Sequence, residues 1–306
     1  MAAAKRVKRP RKKGSKKGMR ARFPGLLFSL GLLMASGLVL AVIYLIPIPV
    51  KGPGRAAGPV YEDFKPAPKT VPVPQKRERA KRKSHIPERP KVAIIIDDMG
   101  HNPHIDRLFF RLEPTLAFAF LPYARYSKGL AVEAKRSGHD VLVHIPMEPD
   151  NPAIDPGPGV LTTSMDLDQL IGALDRAMKQ VPGAVGINNH MGSKFTTDRQ
   201  AMERFLALVR SKGLFFVDSR TTAKTVAYET ARSMGVPCAQ RAVFLDPEPD
   251  RKIVERELKR LVSLAKKRGS AVAIGHPHRI TYEVLYKRLP LIKKQVRLVP
   301  IHRLVE

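Results

Sequence analysis

The chain has a single cysteine, Cys238, among its 306 residues. An intrachain disulfide is therefore excluded, and any folded domain must stand on apolar burial alone. Residues 1–22 lack acidic side chains and carry 11 basic ones, while residues 23–50 lack charge altogether. No internal repeat is present, and no Gly-rich phosphate-binding loop, which weighs against a nucleotide enzyme. The formal net charge of +28 would suit a nucleic-acid binder if it were spread over a folded surface. It is not. Residues 51–90 hold 11 basic and 4 acidic side chains, so 18 of the 28 excess charges lie before residue 91. A basic arm on an otherwise ordinary domain does not read DNA, and no nucleic-acid partner is expected.

From Leu26 to Ile46 the chain is almost wholly apolar. About 20 such residues in a helix span roughly 30 Å, the thickness of a bilayer core. The cluster Lys5–Arg22 would stay cytoplasmic and send everything after Val50 across the inner membrane. The stretch Ile43-Tyr-Leu-Ile-Pro-Ile-Pro-Val50 offers no small-residue cleavage site, which favours a single-pass anchor at 23–50 over a cleaved signal peptide. Prolines and charge make residues 51–90 a spacer. Residues 91–306 then form one domain on the periplasmic, extracytoplasmic side, within reach of envelope proteins and glycans.

In that domain apolar runs alternate with helical periodicity. Strands are expected at 92–96, 116–120, 141–144, 184–188, 214–217, 242–245, 271–274 and 296–300. Helices are expected near 103–111, 127–137, 166–180, 198–212, 224–234, 250–268 and 281–294. Strict alternation implies an α/β fold, a single irregular (β/α) barrel of seven to eight parallel strands, with a doubly wound open sheet as the alternative. Strand ends in such folds face one rim, and here they are polar: Asp97-Asp98, His144 to Glu148, Asn188-Asn189-His190, Asp218-Ser-Arg220 and Gly275-His-Pro-His278. A carboxylate with two imidazoles is a frequent ligand set for a catalytic divalent metal, zinc first, with nickel, cobalt or manganese as alternatives. A second carboxylate can take a proton from water, and an imidazole across the pocket can give one to a leaving group. Arg220 or backbone amides could hold a developing oxyanion. These parts suit metal-assisted hydrolysis of an amide or ester.

The segments Ile95-Ile-Asp-Asp-Met-Gly100, His144-Ile-Pro-Met-Glu-Pro149, Asn188-Asn-His-Met-Gly-Ser193, Phe216-Val-Asp-Ser-Arg-Thr-Thr222 and Gly275-His-Pro-His278 resemble the divergent polysaccharide deacetylases. The resemblance implies a distorted β/α barrel that removes acetyl groups from a glycan or peptidoglycan-like polymer. It implies Asp97 as base, Asp98 and His144 as metal ligands, and His276 as general acid. The place of the second metal histidine, four residues after His144, is Glu148. Either Glu148 binds through oxygen or His190 arrives from the next strand. Pro146 and Pro149 disfavour a helical pairing of 144 with 148, so His190 is preferred. The family's arginine-proline substrate motif is absent, and Asn188-Asn189 stands in roughly that region. Glu148, Asn189, Asp218, Arg220 and His278 are the remaining candidates for holding substrate. Another envelope hydrolase, or a non-catalytic glycan- or protein-binding module on the same barrel, are the alternative readings.

Overall fold

A computed structural model describes residues 88–306. The expected basic arm, the membrane anchor and the spacer up to residue 87 lie outside the described residues. Among those described, no helix is long and apolar enough to cross a membrane.

The elements run β1 (Lys91–Met99), α1 (Pro103–Phe110), β2 (Ala117–Phe120), α2 (Ser127–Arg136), β3 (Asp140–Met147), α3 (Leu167–Gln180), β4 (Gly186–Met191), α4 (Arg199–Ser211), β5 (Phe215–Asp218), α5 (Ala227–Ser233), β6 (Cys238–Gln240), β7 (Val243–Phe244), α6 (Arg251–Arg268), β8 (Ser270–Gly275), α7 (Arg279–Ile292) and β9 (Arg297–Leu298). The helix starts follow local chemistry. Asn102 caps α1 ahead of Pro103, Asp166 and Gln169 form a reciprocal capping box on α3, and Asp198 and Asp250 cap α4 and α6. Each cap satisfies amides that the first turn leaves unpaired.

All strand pairs are parallel, in the order β6-β5-β4-β3-β2-β1-β8-β7. The two edge strands, β6 and β7, are separated in sequence only by Arg241 and Ala242. Three Cα steps cover at most about 11 Å, so the sheet must curl until its edges nearly meet. That excludes the doubly wound open sheet and leaves an incompletely closed (β/α) barrel. The expected strand at 296–300 exists as β9 but pairs only with the first residues of β1, off the barrel path. The strand missing from the sequence reading is β6, three residues long and without an apolar run to announce it.

Alternation along β1 divides the core. Ile94 and Ile96 point out to the helices and join the larger apolar cluster. Ala93 and Ile95 point inward, with Ala117, Ala119, Leu142, Val217, Ala239, Val272 and Ile274. Ile301, in a short turn after β9, is buried among the same inner residues. The inner layer is rich in alanine, so the interior is narrow and filled.

Candidate active site

The inward register of the strands continues past this apolar layer. On β1 the sequence 93, 95, 97 ends in Asp97; on β3, 142 leads to His144; on β4, 186 leads to Asn188 and His190; after β5, 215 and 217 lead to Ser219; after β8, 272 and 274 lead to His276. Period-two geometry alone therefore delivers these polar side chains to the top of the barrel interior. Asp98 would point outward by the same rule. Its backbone instead takes φ 55°, which turns the carboxylate back toward the mouth. The next two residues complete the turn: Gly100 has φ 112°, and a Cβ there would strike the Ser127 hydroxyl. The buried carboxylate of Asp106 accepts the Gly100 amide at 2.9 Å.

A cleft of about 510 Å³ opens here, lined by Asp97, Asp98, His144, Asn189, His190 and His276 among others. Asp98 Oδ1 lies 3.0 Å from His190 Nδ1 and 3.3 Å from His144 Nε2, and the two nitrogens are 3.1 Å apart. The fit to a cation follows from these numbers. Ligands about 2.0–2.1 Å from a tetrahedral zinc lie roughly 3.3–3.4 Å from one another, close to the separations measured. Asp98 Oδ1 is also buried without a hydrogen-bond partner. The His144 tautomer is set by its neighbours. Asn188 Nδ2 donates to Asp97 Oδ1 at 2.8 Å, which turns the amide oxygen toward His144. His144 Nδ1 donates to that oxygen at 2.9 Å, leaving Nε2 free for a ligand.

The electrostatics agree with a site built around positive charge. Burial pushes the Asp97 carboxyl above its ordinary value, against the pull of His144 and His276. Burial would also raise Asp98, but His144 and His190 override it and hold that carboxyl well below the usual range. Burial works against a proton on His144, yet Asp97 and Asp98 raise it to about 9. His276 is raised as well. Burial opposes this shift, while the Asp246 carboxylate, accepting from Nδ1 at 2.9 Å, drives it. His276 Nε2 then faces the cleft, 3.8 Å from Asp98 Oδ2.

Of the residues singled out from sequence, the mouth gathers Asp97, Asp98, His144, Asn189, His190 and His276. Four others lie elsewhere. Glu148 is engaged by Lys194 at 2.7 Å and by the amide and hydroxyl of Thr163 at 2.9 Å, so it braces two loops. Asp218 accepts the Arg220 amide and the Thr225 hydroxyl. The Arg220 guanidinium donates to Gln240 and is not aimed into the cleft. His278 is exposed at the start of α7, its ring 5.9 Å from that of His276. Asn189 supports the rim: its amide donates to Met191 O and accepts from the Ser219 amide. Met191 and Arg220 both have φ near 50°, a conformation costing non-glycine residues about 1–2 kcal/mol each, and Asn189 and Asp218 hold those two turns.

Four contributors have roles that the sequence reading did not assign. Asn188 orients His144, and Asp246 orients His276 while also accepting the Thr281 hydroxyl and the His276 amide. Arg241 lines the cleft where Arg220 was expected, tied to two carbonyls and stacked 4.8 Å over Phe244. Phe244 packs edge-on against His276 at 5.3 Å. The signal for Asp246 was present: it is the polar end of the 242–245 strand.

Comparison with known proteins gives consistent results. The family model "Divergent polysaccharide deacetylase" matches residues 94–305. An uncharacterized protein of Haemophilus influenzae is 38% identical over 209 residues, covering 68% of this chain and 74% of that protein. The uncharacterized YibQ of Escherichia coli is 35% identical over 212 residues, covering 68% of this chain and 65% of its own length. Among solved structures, an uncharacterized protein from Agrobacterium tumefaciens superposes with TM-score 0.68 at 24% identity, over 71% of this chain and 90% of that one. The last likeness is one of fold.

Proposed function

The chain belongs to the divergent polysaccharide deacetylase family, and from that membership we propose that it is a metal-dependent deacetylase acting on N-acetylated sugars of an envelope glycan. The observation that carries the reading is the convergence of Asp98, His144 and His190 beside a base and an acid that end the neighbouring strands β1 and β8. Asp98, His144 and His190 would hold a divalent cation, zinc first by donor type, which when bound polarises a carbonyl and acidifies water. Asp97, with its raised pKa and its Oδ2 3.6 Å from His144 Nε2, accepts the proton from the attacking water. Its other oxygen is held by Asn188, so the accepting atom keeps one orientation. His276, whose charged form the Asp246 carboxylate favours, gives its Nε2 proton to the departing amine. Phe244 and Arg241 wall that side, and Arg241 places positive charge near the developing oxyanion. The two proton-transfer groups therefore have separate partners: the Asn188 amide favours the charged carboxylate of Asp97, and the Asp246 carboxylate favours the charged imidazole of His276.

The uncharged stretch 23–50 behind a basic arm supports an inner-membrane anchor, with this domain on the periplasmic side. The test pairs elemental analysis of the purified protein with acetate release from chito-oligosaccharides and peptidoglycan. Asp97→Asn is expected to keep its metal and to lose about 10²–10⁴-fold in rate. Full activity in that variant would refute the assignment of the base.

A further inference from the structure

A second group of metal-binding side chains lies behind the acid. Asp246, His276 and His278 each bring one ligand atom within 4.8 Å of the other two. We propose that they form a second, weaker zinc site whose occupation switches the acid off. The switch rests on the deacetylase reading, and the site itself does not.

The segment Gly275-His-Pro-His278 is preorganised for chelation. Pro277 fixes its own φ and keeps His276 extended. The His278 amide donates to His276 O at 2.8 Å, a tight turn that leaves the two rings 5.9 Å apart. The rings of His144 and His190 are 4.9 Å apart, so a small swing of an exposed side chain makes up the difference. His278 is free to make it. It stands at the cap position of α7 without forming a cap bond, where Ser, Thr, Asp or Asn would satisfy a first-turn amide. The adjacent cation, Arg279, is paired with Glu283 at 3.2 Å.

Asp246 is placed to change partners. Its Oδ2 accepts the His276 amide and the Thr281 hydroxyl, which holds the carboxylate whatever Oδ1 does. Among the described residues Oδ1 meets His276 Nδ1 alone, at 2.9 Å. A zinc ion in place of the Nδ1 proton needs those two atoms about 0.4 Å further apart. The exchange balances: zinc binds Nδ1 and Oδ1, and the Nδ1 proton leaves to solvent. Nε2 keeps its hydrogen, but giving that hydrogen up would now leave an imidazolate, so the ring no longer protonates a departing amine. The site is weaker than the Asp98–His144–His190 centre for three reasons. Its ligand atoms are more widely spaced, within 4.8 Å against 3.0–3.3 Å, a proton must be displaced, and the positive end of α7 is close by.

Zinc calorimetry on the full chain reads the site without any substrate. The wild type is expected to bind one zinc tightly and a second roughly tenfold or more weakly. His190→Ala should remove the first event and keep the second, and His278→Ala should do the reverse. His278→Cys, which keeps a zinc ligand in place, should restore the second event. His278→Ser, a good helix cap, replaces the alanine variant if that fails to fold. In acetate release, activity should rise with the first equivalent of zinc and fall as the second site fills. His278→Ala should keep the rise and lose the fall. A wild-type isotherm with a single event, or a second event unchanged in His278→Ala and His278→Ser, overturns the site. Equal inhibition by excess zinc in those variants overturns the switch. If the wild type releases no acetate at any zinc concentration, the deacetylase reading fails, and the calorimetry still decides the site.

Discussion

Replacing Asp246 by asparagine tests the acid half of the site most directly. Asp246 is buried and both of its oxygens are engaged: Oδ1 takes His276 Nδ1 at 2.9 Å, and Oδ2 takes the His276 amide at 2.8 Å and the Thr281 hydroxyl at 2.6 Å. Asparagine keeps the shape and the Oδ2 contacts through its amide oxygen, but presents N–H where the imidazole N–H needs an acceptor. A hydrogen bond to a charged group is worth about 1.5–3 kcal/mol. The His276 pKa, raised in the native protein above its ordinary 6.5, should fall when that bond is lost. The sign for stability follows. A histidine with a raised folded pKa stabilises the fold fully below its unfolded pKa of about 6.5, and that contribution is lost as pH rises through the folded value. Asp246→Asn should therefore be most destabilising in mildly acidic solution and approach wild type in alkaline solution. NMR titration of the His276 ring reads the pKa without any substrate, and the alkaline limb of the acetate-release profile should move down with it. An unshifted His276 titration would refute the pairing.

The ligand set is separable by zinc calorimetry. His190→Ala should abolish tight binding, Asn188→Ala should weaken it about 10–100-fold through loss of His144 orientation, and Glu148→Gln should leave it unchanged; tight zinc binding in His190→Ala would return Glu148 to consideration. Asp106 offers a stability test away from the chemistry. Burial raises its carboxyl to about 6 and Oδ1 has no partner, so its favourable contribution is present below pH ~4 and lost as pH rises through ~6. Asp106→Asn, which keeps an acceptor for Gly100, should stabilise the protein at pH 7.5 by on the order of 2–3 kcal/mol and hardly at all at pH 4. Urea denaturation at the two pH values measures this, and equal shifts at both would contradict the burial argument.

Much of the barrel was legible because buried parallel strands are continuous apolar runs and the intervening helices carry caps such as Asp198. What escaped reading was short or depended on closure. β6 has three residues and no hydrophobic signature, and the role of β9 depends on which part of β1 it meets. At the site, Asp97, His144, His190 and His276 were readable as polar strand ends. Asn188 and Asp246 also end strands, but their roles as partners of His144 and His276 were not readable, because they act through distances that only the curled sheet creates. Arg220 was expected near the reaction, and the φ 51° turn at that residue sends its side chain to Gln240 instead. The neighbouring Arg241 takes the place by the cleft.

The two-residue step from β6 to β7 has a consequence for how this scaffold can change. Every other strand-to-strand connection in the barrel passes through a helix or loop that can lengthen without disturbing the ladder. Arg241-Ala242 cannot lengthen, since an inserted residue would reverse the facing of Phe244 and carry Asp246 away from His276. Changes of length are therefore tolerated in exposed segments such as 149–160 and not at the seam. A single-residue insertion after Ala242 is the smallest lesion that would disconnect His276 from the Asp246 carboxylate while leaving every side chain of the site in the chain.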